Sequence, residues 1–215
     1  MPTVKKPTAL KKTAKPTVKK IVKGAGPKKK TAQKKTVLFL HSAGPQGPGQ
    51  GSSGFVRHLK KELGSGFSIL APKMPKPQAP DYGPWKAMLK KILSGLKGEV
   101  ILIGHSLGGS VLLKYLSEEK VKVRIPALFL AATPFWGEKG WEYDMFRLQD
   151  GFAKKLPAIP FIFLYHSRKD EVVEFRHLKR YADELPKALL RPIAGSEHVF
   201  DEAGLPELVA DLKAI

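Results

Sequence analysis

The 215-residue chain contains no cysteine, so neither a disulfide nor a thiolate metal site can hold it together, and the composition fits a reducing compartment. Stability must come from burial of apolar side chains, which make up 42% of the residues and are numerous enough at this length for one domain-sized core. Long apolar runs are missing too. None approaches the roughly 20 residues that cross a bilayer, and no apolar segment follows the positive charges at the N-terminus, so neither a membrane span nor a secretory signal is expected. A soluble, cytoplasmic protein is the expectation.

Acidic residues and arginine are absent from residues 1–35, which hold thirteen lysines. Of the formal net charge of +19, only +6 is left for residues 36–215. Pro2, Pro7, Pro16 and Pro27 interrupt any amphipathic helix, unlike an organellar transit sequence. The repeated Lys-Lys and Lys-Pro-Thr fragments carry almost no large apolar residues and cannot bury enough surface to fold. The chain is therefore expected to divide into a disordered basic tail, 1–35, and a folded domain, 36–215. In composition the tail resembles those of linker histones. Evenly spread lysines suit phosphate backbones, so the tail reads either as a merely solubilising extension or as a non-specific, salt-sensitive binder of nucleic acid, with nucleoid or nuclear association; an acidic membrane surface is the third reading.

Within the domain, short apolar runs alternate with amphipathic stretches. Thr36-Val37-Leu38-Phe39-Leu40, Phe67-Ser68-Ile69-Leu70-Ala71, Val100-Ile101-Leu102-Ile103, Ala127-Leu128-Phe129-Leu130-Ala131, Phe161-Ile162-Phe163-Leu164-Tyr165 and Ala188 to Ile193 read as six strands. Between them Phe55, Val56, Leu59 and Leu63 share one helical face, capped by Ser52 or Ser53 and ended by Gly64. Trp85, Met88, Leu89, Ile92 and Leu96 share another, after a proline-rich connection from Pro72 to Pro84. Further helices are expected over 175–184 and 206–215. Continuous apolar strands separated by helices predict an α/β fold, a mostly parallel six-stranded sheet covered on both faces. Ligands in such sheets bind beyond the carboxyl ends of the strands, where His41, Ser106, Thr133 and Asp170 should emerge.

Directly behind the third strand stands Gly104-His105-Ser106-Leu107-Gly108, followed by the helical pattern Val111, Leu112, Tyr115, Leu116. A serine hydroxyl is a weak nucleophile and must be held exposed on a strained strand-to-helix turn, beside a base and amide donors. Glycines two residues before and after it let the backbone crowd there. That order of strand, turn and helix points to hydrolytic chemistry at Ser106.

The serine needs an imidazole to take its proton, and the imidazole needs a carboxylate to fix its tautomer. The turn resembles the serine turn of the α/β-hydrolases, and that resemblance implies the order serine, acid, histidine along the chain. Of the six histidines, His166, His177 and His198 follow Ser106. His177 falls inside an expected helix, and His166 precedes every suitable acid except those near 142–150. This leaves His198, in the loop after the last strand. The acid should leave the preceding strand, which selects Asp170, with Glu171 its nearest rival. The oxyanion hole requires two backbone N–H groups, expected from Leu107, after the nucleophile, and from Ala43, in the loop after the first strand. His41, which opens that loop, reads as a packing residue.

GHSLGG at 104–109, the Asp170-Glu171-Val172-Val173 turn and the terminal His198 resemble an α/β-hydrolase, over essentially all of 36–215. The small core, the absence of a leading antiparallel hairpin and the stretch Met74-Pro75-Lys76-Pro77 to Trp85 resemble, more narrowly, the compact serine hydrolases of the retinoblastoma-binding-protein type. The resemblance implies a three-layer fold, a Ser106, Asp170 and His198 triad, an acyl-enzyme intermediate, and no metal or organic cofactor. Two departures stand out: Ser42 where many relatives have glycine, and Gly195-Ser196-Glu197-His198 in place of the commoner Gly-Gly-His or Gly-His ending. A small ester or acyl compound is the expected substrate. Residues 133–157, rich in aromatics from Phe135 to Phe152, either overhang the site as an acyl pocket or simply cover the sheet.

Overall fold

The computed structural model describes residues 34–195, 197–200 and 204–215. The expected disorder of the lysine-rich tail falls, up to residue 33, outside the described residues, as does Ser196. Six strands form one sheet: β1 (Lys35–Leu40), β2 (Phe67–Leu70), β3 (Val100–His105), β4 (Ala127–Ala131), β5 (Phe161–Ser167) and β6 (Leu189–Ile193), in the spatial order β2-β1-β3-β4-β5-β6. All five pairings are parallel. The strand order reverses between β1 and β3, which places a crevice at the carboxyl ends of those two strands.

Both faces of the sheet are covered, and every residue of its central strands β3 and β4 is buried. Alternate residues divide into two cores. On one face Leu38, Leu40, Leu102, Leu128 and Leu164 pack against α2 (Tyr82–Gly95), α3 (Leu107–Glu118) and α4 (Arg176–Glu184). On the other, Val37, Phe39, Ile101, Ile103 and Phe129 meet α1 (Ser53–Leu63) and α5 (Pro206–Ala214). Helix α5 is stapled to the sheet by Asp211, which accepts hydrogen bonds from the Tyr165 hydroxyl at 2.5 Å and from the Arg191 guanidinium at 2.9 and 3.1 Å. No described helix is long and apolar enough to cross a membrane.

Two local expectations need correction. Helix α2 begins at Tyr82, inside the stretch read as a proline-rich connection; the Asp81 side chain caps it by accepting from the Gly83 amide at 2.7 Å. Pro84 falls in the first turn, where an N–H would have no helical acceptor, so the ring is tolerated. Ser52 does precede α1, but its side chain makes no capping bond. Its hydroxyl is turned inward, toward the site described next.

Candidate active site

Ser106 occupies the junction between β3 and α3 with φ +53° and ψ −122°, a left-handed backbone that a side chain adopts only at some cost in strain. The flanking glycines are dictated by contact. A Cβ on Gly104 would collide with the backbone of Gly109, and one on Gly108 with the carbonyl of Leu40. A third glycine is equally constrained: a Cβ on Gly109 would strike Thr133 at the end of β4. The Ser106 amide donates to the Ala131 carbonyl at 2.8 Å, which fixes the turn to the neighbouring strand.

Asp170 leaves the turn after β5 and His198 the loop after β6, and both reach Ser106. The His198 Nε2 lies 3.0 Å from the Ser106 Oγ, and its Nδ1 lies 2.9 and 3.1 Å from the two Asp170 carboxylate oxygens. All three residues are buried to within 8% exposure, so these bonds compete little with water. Glu171, the rival acid, is exposed. Burial alone would push the Asp170 carboxyl up. The hydrogen bond and charge of His198, with the amides of Val173 at 2.8 Å and Val172 at 3.0 Å, more than offset it and hold the carboxyl below its ordinary value.

The loop after β1 is braced from several sides. His41 accepts from the Met74 amide on Nε2 at 2.8 Å, so its proton sits on Nδ1 and is donated to the Ser42 carbonyl at 2.6 Å, with the ring edge-on to Trp85. It is the packing residue the sequence indicated. Gln46 spans the loop, its amide reaching the Ser42 and Gly44 carbonyls while its carbonyl accepts from the Ser52 amide at 2.9 Å. Ala43 is thereby held at the mouth of a cavity of about 360 Å³ that also meets Ser106, His198, Pro45, Gly51, Val172 and Val199. Leu107 is the first residue of α3, where the helix leaves amide donors without intrahelical acceptors.

None of the aromatics of residues 133–157 lines that cavity. Trp136, Phe146 and Phe152 are buried in the core against α3, and the Trp136 Nε1–H donates to Ser110 Oγ at 2.8 Å. These three aromatics therefore belong to the packed core rather than to the wall of that cavity.

Sequence reasoning missed the role of His105. It is wholly buried at the last position of β3. Its Nε2 lies 2.9 Å from the His198 carbonyl and its Nδ1 2.7 Å from the Ser52 Oγ, which in turn accepts from the Ser42 amide at 2.8 Å. The only signal in the sequence was a histidine at the polar end of an otherwise apolar strand.

Burial lowers the pKa of His41, His105, His166 and His177, that of His105 to about 3. The unfolded chain takes up protons at these positions near the ordinary value of 6.5, while the folded chain resists them. Stability must therefore fall as the pH drops through 6.5. Between pH 7 and 5.5, His105 alone should cost about 1 kcal/mol, and the other three act in the same direction. The depressed Asp170 carboxyl contributes only nearer pH 4, outside this window. Urea unfolding at the two pH values, with an unchanged slope, measures the loss; equal midpoints would show that these rings are not neutral in the folded chain.

A strained serine on a strand-to-helix turn, hydrogen-bonded to a histidine that is itself hydrogen-bonded to an aspartate, is the constellation of a serine hydrolase. The family model of serine hydrolases matches residues 48–212. The chain belongs to that family. Solved structures share the fold of this serine hydrolase. The YdeN gene product of B. subtilis is 22% identical with a TM-score of 0.69, covering 84% of this chain and 97% of its own. An esterase of Exiguobacterium antarcticum is 15% identical with a TM-score of 0.60, covering 85% and 92%. A carboxylesterase of the thaumarchaeon Nitrososphaera gargenis is 17% identical with a TM-score of 0.65, covering 85% and 90%. Among curated protein sequences none matches the chain. The α/β-hydrolase fold expected from the motifs is the one observed.

Proposed function

We propose that this serine hydrolase is an esterase acting on small, short-chain acyl esters through an acyl-enzyme intermediate. The observation that carries the reading is the continuous hydrogen-bonded line from Asp170 through His198 to Ser106, with Ser106 opening onto a small, largely apolar cavity. His198 Nε2 takes the Ser106 proton as Oγ attacks the ester carbonyl carbon. The oxyanion that forms is received by the amides of Leu107 and Ala43. Asp170 keeps the other proton of the imidazole on Nδ1 and stabilises the imidazolium. Collapse of the intermediate expels the alcohol, which takes the proton from Nε2 and leaves Ser106 acylated. Water then attacks the acyl carbon, His198 again accepting and returning a proton, and the acid departs. Protein, substrate and water together account for every proton and electron pair.

The acyl chain length follows from the walls. Each buried methylene contributes roughly 0.8 kcal/mol, but Ala43, Pro45, Val172 and Val199 enclose only about 360 Å³. Methylenes beyond the rim gain nothing. The kcat/KM for p-nitrophenyl butyrate is therefore expected to be at least as high as that for the dodecanoate, with no gain per added methylene past the rim. A steady rise through twelve carbons would contradict a short-chain site. The esterases among the structural neighbours support an ester substrate.

A further inference from the structure

Two loops must hold their positions relative to each other for the proposed chemistry: the one bearing Ala43 and the one bearing His198. They come from opposite ends of the domain sequence, and no direct contact between their backbones is needed, because one buried side chain spans them. His105 faces the His198 carbonyl with Nε2, and since a carbonyl only accepts, Nε2 carries the proton and donates at 2.9 Å. Nδ1 is then an acceptor and takes the Ser52 hydroxyl proton at 2.7 Å. The Ser52 oxygen accepts in turn from the Ser42 amide at 2.8 Å, one residue before Ala43. The Ser52 hydroxyl also lies 3.2 Å from the Ser42 Oγ, farther than from His105, and the ring is enclosed by Phe55, Phe200 and His198 with centroids 5.3 to 5.8 Å away. Were His105 only core filling, an apolar residue would serve better, because a buried imidazole with two partners is costly to place.

We propose that His105, acting with Ser52, is a positioning residue that fixes the His198 loop against the oxyanion loop, so that the base faces the Ser106 Oγ while the amide donor faces the carbonyl oxygen of the ester that Oγ attacks. The role rests on the esterase reading above. His105 does not touch substrate. It acts through the His198 backbone at one end and the Ser42 amide at the other, and its loss should reduce kcat while leaving substrate binding nearly intact, since misplacement of a reacting group by an ångström is felt in the chemical step.

The test compares kcat, KM and thermal midpoint for p-nitrophenyl butyrate in wild type, His105→Leu, His105→Gln, His105→Asn and Ser52→Ala, with Ser106→Ala as background. Leucine fills the space without hydrogen bonds and should lower kcat by at least about tenfold, with KM changed less than about threefold. Glutamine extends its amide nitrogen to where Nε2 lay and should restore kcat to within about threefold of wild type. Asparagine reaches only as far as Nδ1 and should remain near the leucine value. Ser52→Ala cuts the other link and should fall between. Where the leucine variant does not fold, the glutamine and asparagine pair decides. Equal kcat for those two, or a leucine variant within about twofold of wild type, would overturn the positioning role while leaving the esterase reading intact. Wild type no faster than Ser106→Ala would overturn both.

Discussion

Ser106→Ala is expected to lower kcat for a short p-nitrophenyl ester by about 10⁵- to 10⁶-fold, the scale seen when the nucleophile of a serine triad is removed. The hydroxyl is the only atom of the residue that takes part. The amide bond to Ala131 is made by the backbone and survives, and alanine carries the same Cβ, so the left-handed turn is no more strained than before. The walls of the cavity are unchanged, and KM and the thermal midpoint should stay close to those of wild type. Residual hydrolysis above about one per cent in a correctly folded variant would mean that another group attacks the ester.

Asp170→Asn is expected to cost about 10⁴-fold in kcat, through geometry specific to this turn. The Asp170 Oδ1 is held by two backbone donors, the amides of Val172 and Val173 at 3.0 and 2.8 Å. An asparagine must therefore keep its carbonyl oxygen on that side and present its NH₂ group to His198 Nδ1, which lies 2.9 Å from the present Oδ2. The imidazole is then driven to carry its proton on Nε2, facing Ser106, and can no longer accept the hydroxyl proton. The variant should fold normally, since the turn keeps both amide bonds. Steady-state kinetics at neutral pH, with circular dichroism as the control for folding, measure the effect; a loss under about tenfold would show that the carboxylate does not set the tautomer.

Much of this site was legible before any coordinates. The strands carry their own signature, because a sheet buried on both faces forces continuous apolar runs. The glycines around Ser106 announce a turn whose crowding the structure locates at Leu40 and Gly109. Asp170 and His198 could be ordered along the chain because each leaves the carboxyl end of a strand. What escaped the sequence is long-range. Ser52 carries the ordinary appearance of a helix cap, and only the fold reveals that its hydroxyl turns inward to His105, 53 residues away. The burial of Trp136 against Ser110 is equally silent, since an aromatic that covers a sheet and one that lines a pocket have the same composition. Helix α2 starts earlier than its prolines suggest because Asp81 supplies the cap and Pro84 falls where no amide is needed.

Covalent labelling with a fluorophosphonate, followed by identification of the modified peptide, tests the convergence of Asp170, His198 and Ser106 most directly. Phosphonylation requires a serine whose proton is being withdrawn. The expected result is a single adduct on Ser106, abolished in Ser106→Ala and slowed by orders of magnitude in His198→Ala. An adduct on Ser42 or Ser52 instead, or no adduct on a folded chain, would contradict it and leave the hydrolase fold as a scaffold for the lysine-rich segment.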